Sequence, residues 1–150
     1  MTTLFTDNFI HKLDTKKRVS IPASFRQSND SEACEFVISK GSDTCIEVRP
    51  ANVWDEFLQN MLSKLRLTNK KHKAYIRAYT QDATRVKCDK QGRILIPQKL
   101  LEFANIKDNV KIIGLGSIFE IWDIDTLEAT ESSQISPDDE YFADVEAQLQ

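Results

Sequence analysis

The sequence predicts an α+β fold of two pseudo-symmetric β-rich halves with flanking helices. Three observations carry that expectation. Asp14-Thr15-Lys16-Lys17-Arg18-Val19-Ser20-Ile21-Pro22 returns as Asp89-Lys90-Gln91-Gly92-Arg93-Ile94-Leu95-Ile96-Pro97, half of the 150-residue chain later. Apolar strand patterns return with it: Phe36–Gly41 aligns with Lys111–Gly116, and Cys45–Val48 with Ile118–Ile121 after a two-residue deletion. A helix with strongly one-sided spacing separates the two copies.

The elements follow in order. Phe9, Ile10 and Leu13 make a short strand running into the first turn, which Val19 and Ile21 continue. Pro22 suits a first helical position and opens a helical turn through Phe25. Phe36-Val37-Ile38 and Cys45-Ile46-Glu47-Val48 read as strands joined by the glycine-containing hairpin Lys40-Gly41-Ser42-Asp43. Val53, Trp54, Phe57, Leu58, Met61, Leu62 and Leu65 alternate at spacings of one and three, one face of a helix. Pro50 precedes that helix, where it breaks no hydrogen bond. The stripe is read as core packing in preference to a binding groove. Thr68 and Asn69 are N-cap candidates for a second helix, Lys70 to Tyr79.

The second half repeats the plan. Strand Ala83–Cys88 enters the turn, Ile94–Ile96 leaves it, and Pro97 opens a helix through Phe103 and Ala104. Strands Val110–Leu115 and Ile118–Trp122 flank Gly116-Ser117, and Asp123 or Asp125 caps a last short helix. From Ser132 the chain is polar and acidic, a flexible tail with a weak helix near Tyr141–Leu149. The expected organisation is therefore a first repeat with its closing helix over 5–66, a connecting helix over 67–81, a second repeat over 82–130, and the tail over 131–150.

Charge is distributed unevenly. No Lys or Arg follows Lys111, whereas ten of the 23 acidic residues do, so a basic body precedes an acidic tail despite a net charge of −3. Such a body can engage polyanions. No apolar run approaches the ~20 residues of a membrane helix, and the N-terminus lacks the pattern of a secretory signal. Cys34, Cys45 and Cys88 are spaced unlike metal ligands and read as reduced thiols of a cytosolic protein. No metal, cofactor or small-molecule substrate is expected.

The repeated turn carries the chemistry. An Asp opening a turn accepts backbone N–H bonds and shapes the loop, assigning Asp14 and Asp89 that role. Gly92 suits a positive φ. Arg18 and Arg93 each present a planar fork of donors that matches phosphate or guanine N7 and O6. Lys16, Lys17 and Lys90 add point charge beside them. An intra-loop Asp–Arg salt bridge, worth ~0–1 kcal/mol, explains one copy equally well. Two copies in matching basic surroundings favour DNA.

These residues resemble the MraZ family, whose tandem domains are similar to the AbrB-type swapped-hairpin barrel fold. The resemblance rests on Leu13-Asp14, the Arg18–Ala23 run, Leu67-Thr68-Asn69-Lys70, Asp89–Pro97 and Phe119-Glu120-Ile121-Trp122, in order over about residues 5–130. It implies a bacterial transcriptional regulator, cytoplasmic and nucleoid-associated. It further implies a ring-shaped homo-oligomer touching promoter repeats of the division and cell-wall gene cluster through Arg18 and Arg93. Two positions depart from the family pattern: Lys17 and Asp7 stand where relatives usually carry Gly.

Rival classes have less to stand on. His11 and His72 lack catalytic context, and no Gly-x-Ser-x-Gly, P-loop or His-Glu-x-x-His occurs, so no enzyme is expected. An Asp14–Asp89 carboxylate pair across the pseudo-twofold is the one catalytic arrangement that duplication would build. An oligomeric scaffold that binds proteins without DNA is the stronger alternative.

Overall fold

The computed structural model describes residues 4–27, 34–133 and 140–149. The first half contains β1 (Asn8–Lys12), β2 (Arg18–Ser20), α1 (Ala23–Gln27), β3 (Glu35–Lys40), β4 (Ile46–Pro50) and α2 (Ala51–Lys64). Helix α3 (Lys70–Thr80) leads to the second half: β5 (Thr84–Lys87), β6 (Arg93–Leu95), α4 (Gln98–Phe103), β7 (Asn109–Gly114) and β8 (Phe119–Asp123). Helices α5 (Ile124–Ser133) and α6 (Glu140–Gln148) follow.

The mixed class, the β-rich halves and the flanking helices are as expected. How the halves combine was not legible from the repeat. Their strands interleave in one six-stranded antiparallel sheet, ordered β1-β7-β8-β4-β3-β5. The leading strand of each half pairs with the hairpin of the other: β1 with β7, and β5 with β3. A second sheet is only the ribbon β2–β6. Among the described residues the larger sheet ends at β1 and β5, and no pairing closes it into a barrel.

Equivalent residues face each other at the centre of both layers. Val19 pairs with Ile94 in the ribbon, and Glu47 with Glu120 in the sheet. The pseudo-twofold axis therefore runs between these two pairs. Between the layers lies the main core, with Val19, Ile94, Phe36, Ile38, Ile112 and Phe119 fully buried. Five rings interlock there: Phe25 lies 5.0 Å from Phe5, 5.4 Å from Phe9 and 4.9 Å from Phe119, and Phe119 is 5.6 Å from Phe36.

The other face of the sheet is covered by helices, which explains why β4 is buried along its whole length. Helices α2 and α3 pack over β3 and β4. Arg49 lies under α2 with its guanidinium carbon 4.1 Å from the Phe57 ring centre and its Nη2 3.1 Å from Glu47 Oε1. The apolar stripe of α2 is only partly core: Trp54 and Met61 are buried, whereas Leu62 is exposed. Of the two cap candidates for α3, Asn69 takes the position, its Oδ1 accepting the Lys71 and His72 N–H groups at 2.9 and 3.1 Å. For α5 it is Asp123, whose Oδ2 accepts the Thr126 N–H at 3.1 Å.

Asp7 has a φ of +79°, a conformation that suits Gly and, next best, Asn or Asp. Its Oδ1 accepts the Asn8 N–H at 2.7 Å, a local bond that helps hold that shape. None of the helices among the described residues is long and apolar enough to cross a membrane.

Because Phe119 sits among Phe5, Phe25 and Phe36, Phe119→Ala is expected to cost about 3–5 kcal/mol. Chemical denaturation monitored by tryptophan fluorescence measures it.

Candidate nucleic-acid interface

The two Asp-x-x-x-Arg turns adopt one shape. In the first, the Asp14 Oδ1 accepts the Lys16 and Arg18 N–H groups, each at 2.9 Å. In the second, the Asp89 Oδ1 accepts those of Gln91 and Arg93, each at 2.9 Å. The main chain closes each loop: Asp14 N–H donates to Arg18 O at 3.0 Å, and Asp89 N–H to Arg93 O at 2.8 Å. Sequence reasoning expected both carboxylates to shape their loops. Lys17, where the second copy has Gly92, could reshape the first loop. It does not: Lys17 has a φ of +65°, against +77° for Gly92. A lysine in that region carries a backbone cost of roughly 1–2 kcal/mol that glycine avoids.

The ribbon β2–β6 holds the turns side by side. Arg18 is opposite Leu95, and Ser20 opposite Arg93. Each turn also accepts from the chain just past the other's strand: Ile21 N–H donates to Gly92 O at 2.9 Å, and Ile96 N–H to Lys17 O at 3.0 Å. As a result the four charged groups form one reciprocal cluster. Arg18 Nε lies 2.8 Å from Asp14 Oδ2, and Arg93 Nε 2.9 Å from Asp89 Oδ2. Each arginine reaches across as well, Arg93 Nη1 to Asp14 Oδ2 at 3.5 Å and Arg18 Nη1 to Asp89 Oδ2 at 3.7 Å. The intra-loop salt bridge exists in both copies, and it is what orients the guanidinium groups.

Orientation does not bury them. The Arg18 and Arg93 side chains keep 27% and 26% of their surface open. Lys16, Lys17 and Lys90 are exposed on the loops around them. Arg18, Asp89, Lys90, Gln91 and Arg93 line a shallow depression of about 350 Å³. Two forks on a rigid ribbon, rimmed by lysines, can accept phosphate oxygens or base edges.

The carboxylates are held well below the usual aspartate range. For Asp14 the main cause is the Arg18 backbone N–H, and for Asp89 that of Arg93, with the guanidinium groups adding to both. A carboxyl held ionised in this way is not poised to deliver a proton at neutral pH, which counts against the catalytic pair. Among the described residues, no group of three or more His, Cys, Asp or Glu is arranged to hold a metal.

One residue of the site escaped the sequence reading. Arg26 of α1 donates from Nε to Ile21 O at 3.0 Å, and its guanidinium covers Gly92. A Cβ added at Gly92 would stand 2.6 Å from the Arg26 Cζ, so glycine serves both the positive φ and this close approach. Arg26 belongs to the basic body that precedes the acidic tail. Its counterpart in the repeat is the core residue Leu101, so the duplication gave no signal.

Acid stability tests the cluster. With folded-state pKa values depressed, Asp14 and Asp89 contribute stability above the ordinary aspartate range and lose it as pH falls through their lowered values. As pH falls from the ordinary aspartate range through these lowered values, the wild type should therefore lose more stability than Asp14→Asn/Asp89→Asn. Denaturant midpoints across that window measure it.

Comparison with known proteins places this arrangement. A family model described as "MraZ protein, putative antitoxin-like" matches residues 4–77 and 80–145. A protein of Clostridium acetobutylicum named Transcriptional regulator MraZ is 40% identical over 119 residues, covering 79% of this chain and 81% of its own. Its namesake in Clostridium botulinum is 42% identical over the same shares. That of Finegoldia magna is 40% identical over 120 residues, covering 80% and 81%. Both halves and both turns fall inside the matched segments, and the chain belongs to the MraZ family.

Proposed function

We propose that this chain regulates transcription by binding double-stranded DNA through the paired turns of the β2–β6 ribbon. The observation that carries the reading is the reciprocal Asp14–Arg18 and Asp89–Arg93 cluster, with both forks open to solvent. A two-stranded ribbon fits the major groove, and a guanidinium held in plane can pair with guanine N7 and O6. Lys16, Lys17 and Lys90 then hold flanking phosphates. The turns act as one composite tip with approximate twofold symmetry. Reading several promoter repeats at once therefore needs several copies of the chain, which is where a closed homo-oligomer enters. The expected targets are the promoter repeats of the division and cell-wall gene cluster, in the bacterial cytoplasm and nucleoid. Support for regulation comes from the relatives named Transcriptional regulator MraZ.

The protein-binding scaffold has one observation in its favour, a groove of about 430 Å³ between α2 and α3 lined by Phe57, Met61, Leu65 and Tyr75 among others. Salt separates the two readings, because phosphate contacts weaken steeply with ionic strength and apolar ones hardly respond.

The direct experiment selects bound duplexes from a random pool with wild type and Arg93→Ala in parallel. Arg93→Ala is expected to cost about 1–3 kcal/mol on the selected site and to relax the sequence preference. Unchanged affinity and preference would overturn the assignment. Replacing Lys16, Lys17 and Lys90 with alanine should weaken all duplexes alike and flatten the log–log salt slope by up to ~2–3. Fluorescence anisotropy over a salt series reads this out.

A further inference from the structure

Two thiols meet where the second turn begins. Cys34 stands one residue beyond the last β3–β5 pair, Glu35 opposite Lys87, and Cys88 stands opposite it. The ladder continues between them, with the Cys88 N–H donating to Cys34 O at 3.1 Å. Their sulfurs are 2.7 Å apart. That is closer than an ordinary non-bonded contact of about 3.5–4.0 Å. Facing residues of an antiparallel ladder have Cα atoms about 4.5–5.5 Å apart, within the span a disulfide bridges. Both residues are half-buried against the core.

The duplication supplies an internal control. At the equivalent place in the other half, Leu13 N–H donates to Asp108 O at 2.8 Å, with no sulfur on either residue. The fold therefore makes this contact without cysteines. Cys88 is also covalently next to Asp89, the residue that shapes the second turn. The third thiol, Cys45, is fully buried against Glu120, 3.3 Å from its Oε2.

We infer that Cys34 and Cys88 form an oxidant-sensitive pair that closes reversibly as a disulfide, strapping β3 to the base of the second turn. The oxidant class is a hydroperoxide such as hydrogen peroxide. One sulfur attacks a peroxide oxygen, the O–O bond breaks, and a sulfenic acid and water result. The second sulfur then displaces the sulfenic oxygen, which leaves as water with the thiol's proton. In sum two S–H bonds and one O–O bond break, one S–S bond and two waters form, and the peroxide takes up two electrons. Burial and the neighbouring Cys34 sulfur push the Cys88 thiol up to about 12. A dithiol reductant reverses the step. The bond acts on the second turn alone, because Leu13 and Asp108 cannot form one.

The test treats the full chain with hydrogen peroxide under conditions that oxidise a free small thiol. Thiols are then counted in denaturant and the linked peptides mapped without reduction. The expected result is one free thiol remaining of three, a Cys34–Cys88 peptide within a single chain, and return of all three thiols with dithiothreitol. Cys45→Ser should keep the linkage. Cys88→Ser should lose it and accumulate a trappable sulfenic acid at Cys34. As a second readout, the unfolding midpoint should rise on oxidation of wild type and not of Cys88→Ser. Three persisting thiols, links only between chains, or links through Cys45 would overturn the inference. None of these readouts uses DNA, so their outcome is distinguishable from that of the proposed function.

Discussion

The pseudo-twofold packing of β2 against β6 is the constraint on which the site depends. Each strand is three residues long and could not persist alone. They are held by Val19 and Ile94, fully buried over the six-stranded sheet, and by hydrogen bonds from each half to the other half's turn. Once those central residues face each other, Asp14, Arg18, Asp89 and Arg93 are brought to one place. Each carboxylate then shapes its own loop, anchors its own arginine and reaches the arginine opposite. The pair interactions are solvent-screened and individually small. What they supply is preorganisation: two flexible side chains lose their freedom in folding and have less to lose on meeting a ligand.

Interleaving changes what duplication means here. Two tandem domains would present two separable tips, each binding weakly. The exchange of leading strands, β1 to β7 and β5 to β3, instead yields one body with one composite tip. It also explains the close approach at the N-terminus. Gly114 lies against the Phe5 and Thr6 backbone, where a Cβ would stand 2.6 Å from the Phe5 carbonyl carbon. The copies have meanwhile diverged where function or packing differs. Arg26 reaches Gly92 from the first half, while its counterpart Leu101 fills the core. Cys34 and Cys88 replace a contact that Asp108 and Leu13 make elsewhere.

Much of this was written in local sequence. Strand patterns, the prolines that open α1, α2 and α4, the Asn69 cap and the loop-shaping roles of Asp14 and Asp89 depend on near neighbours, so the chain declares them. The resemblance to MraZ proteins rested on the same local runs. The mutual contact of the two turns, the covering of Gly92 by Arg26 and the exposure of Leu62 on an otherwise apolar stripe depend on residues far apart in sequence. No period or motif encodes them.

By itself, then, the sequence determined the elements, their repetition and the identity of the basic forks, because hydrophobic period, turn chemistry and charge act over a few residues. Tertiary structure alone decided how the copies engage. A repeat makes pairing within a half and pairing between halves almost equivalent locally, since the same side chains would meet in either case. The choice falls to the path of the connecting chain and the packing of Val19 on Ile94 and Glu47 beside Glu120. That choice merged two turns into a single surface.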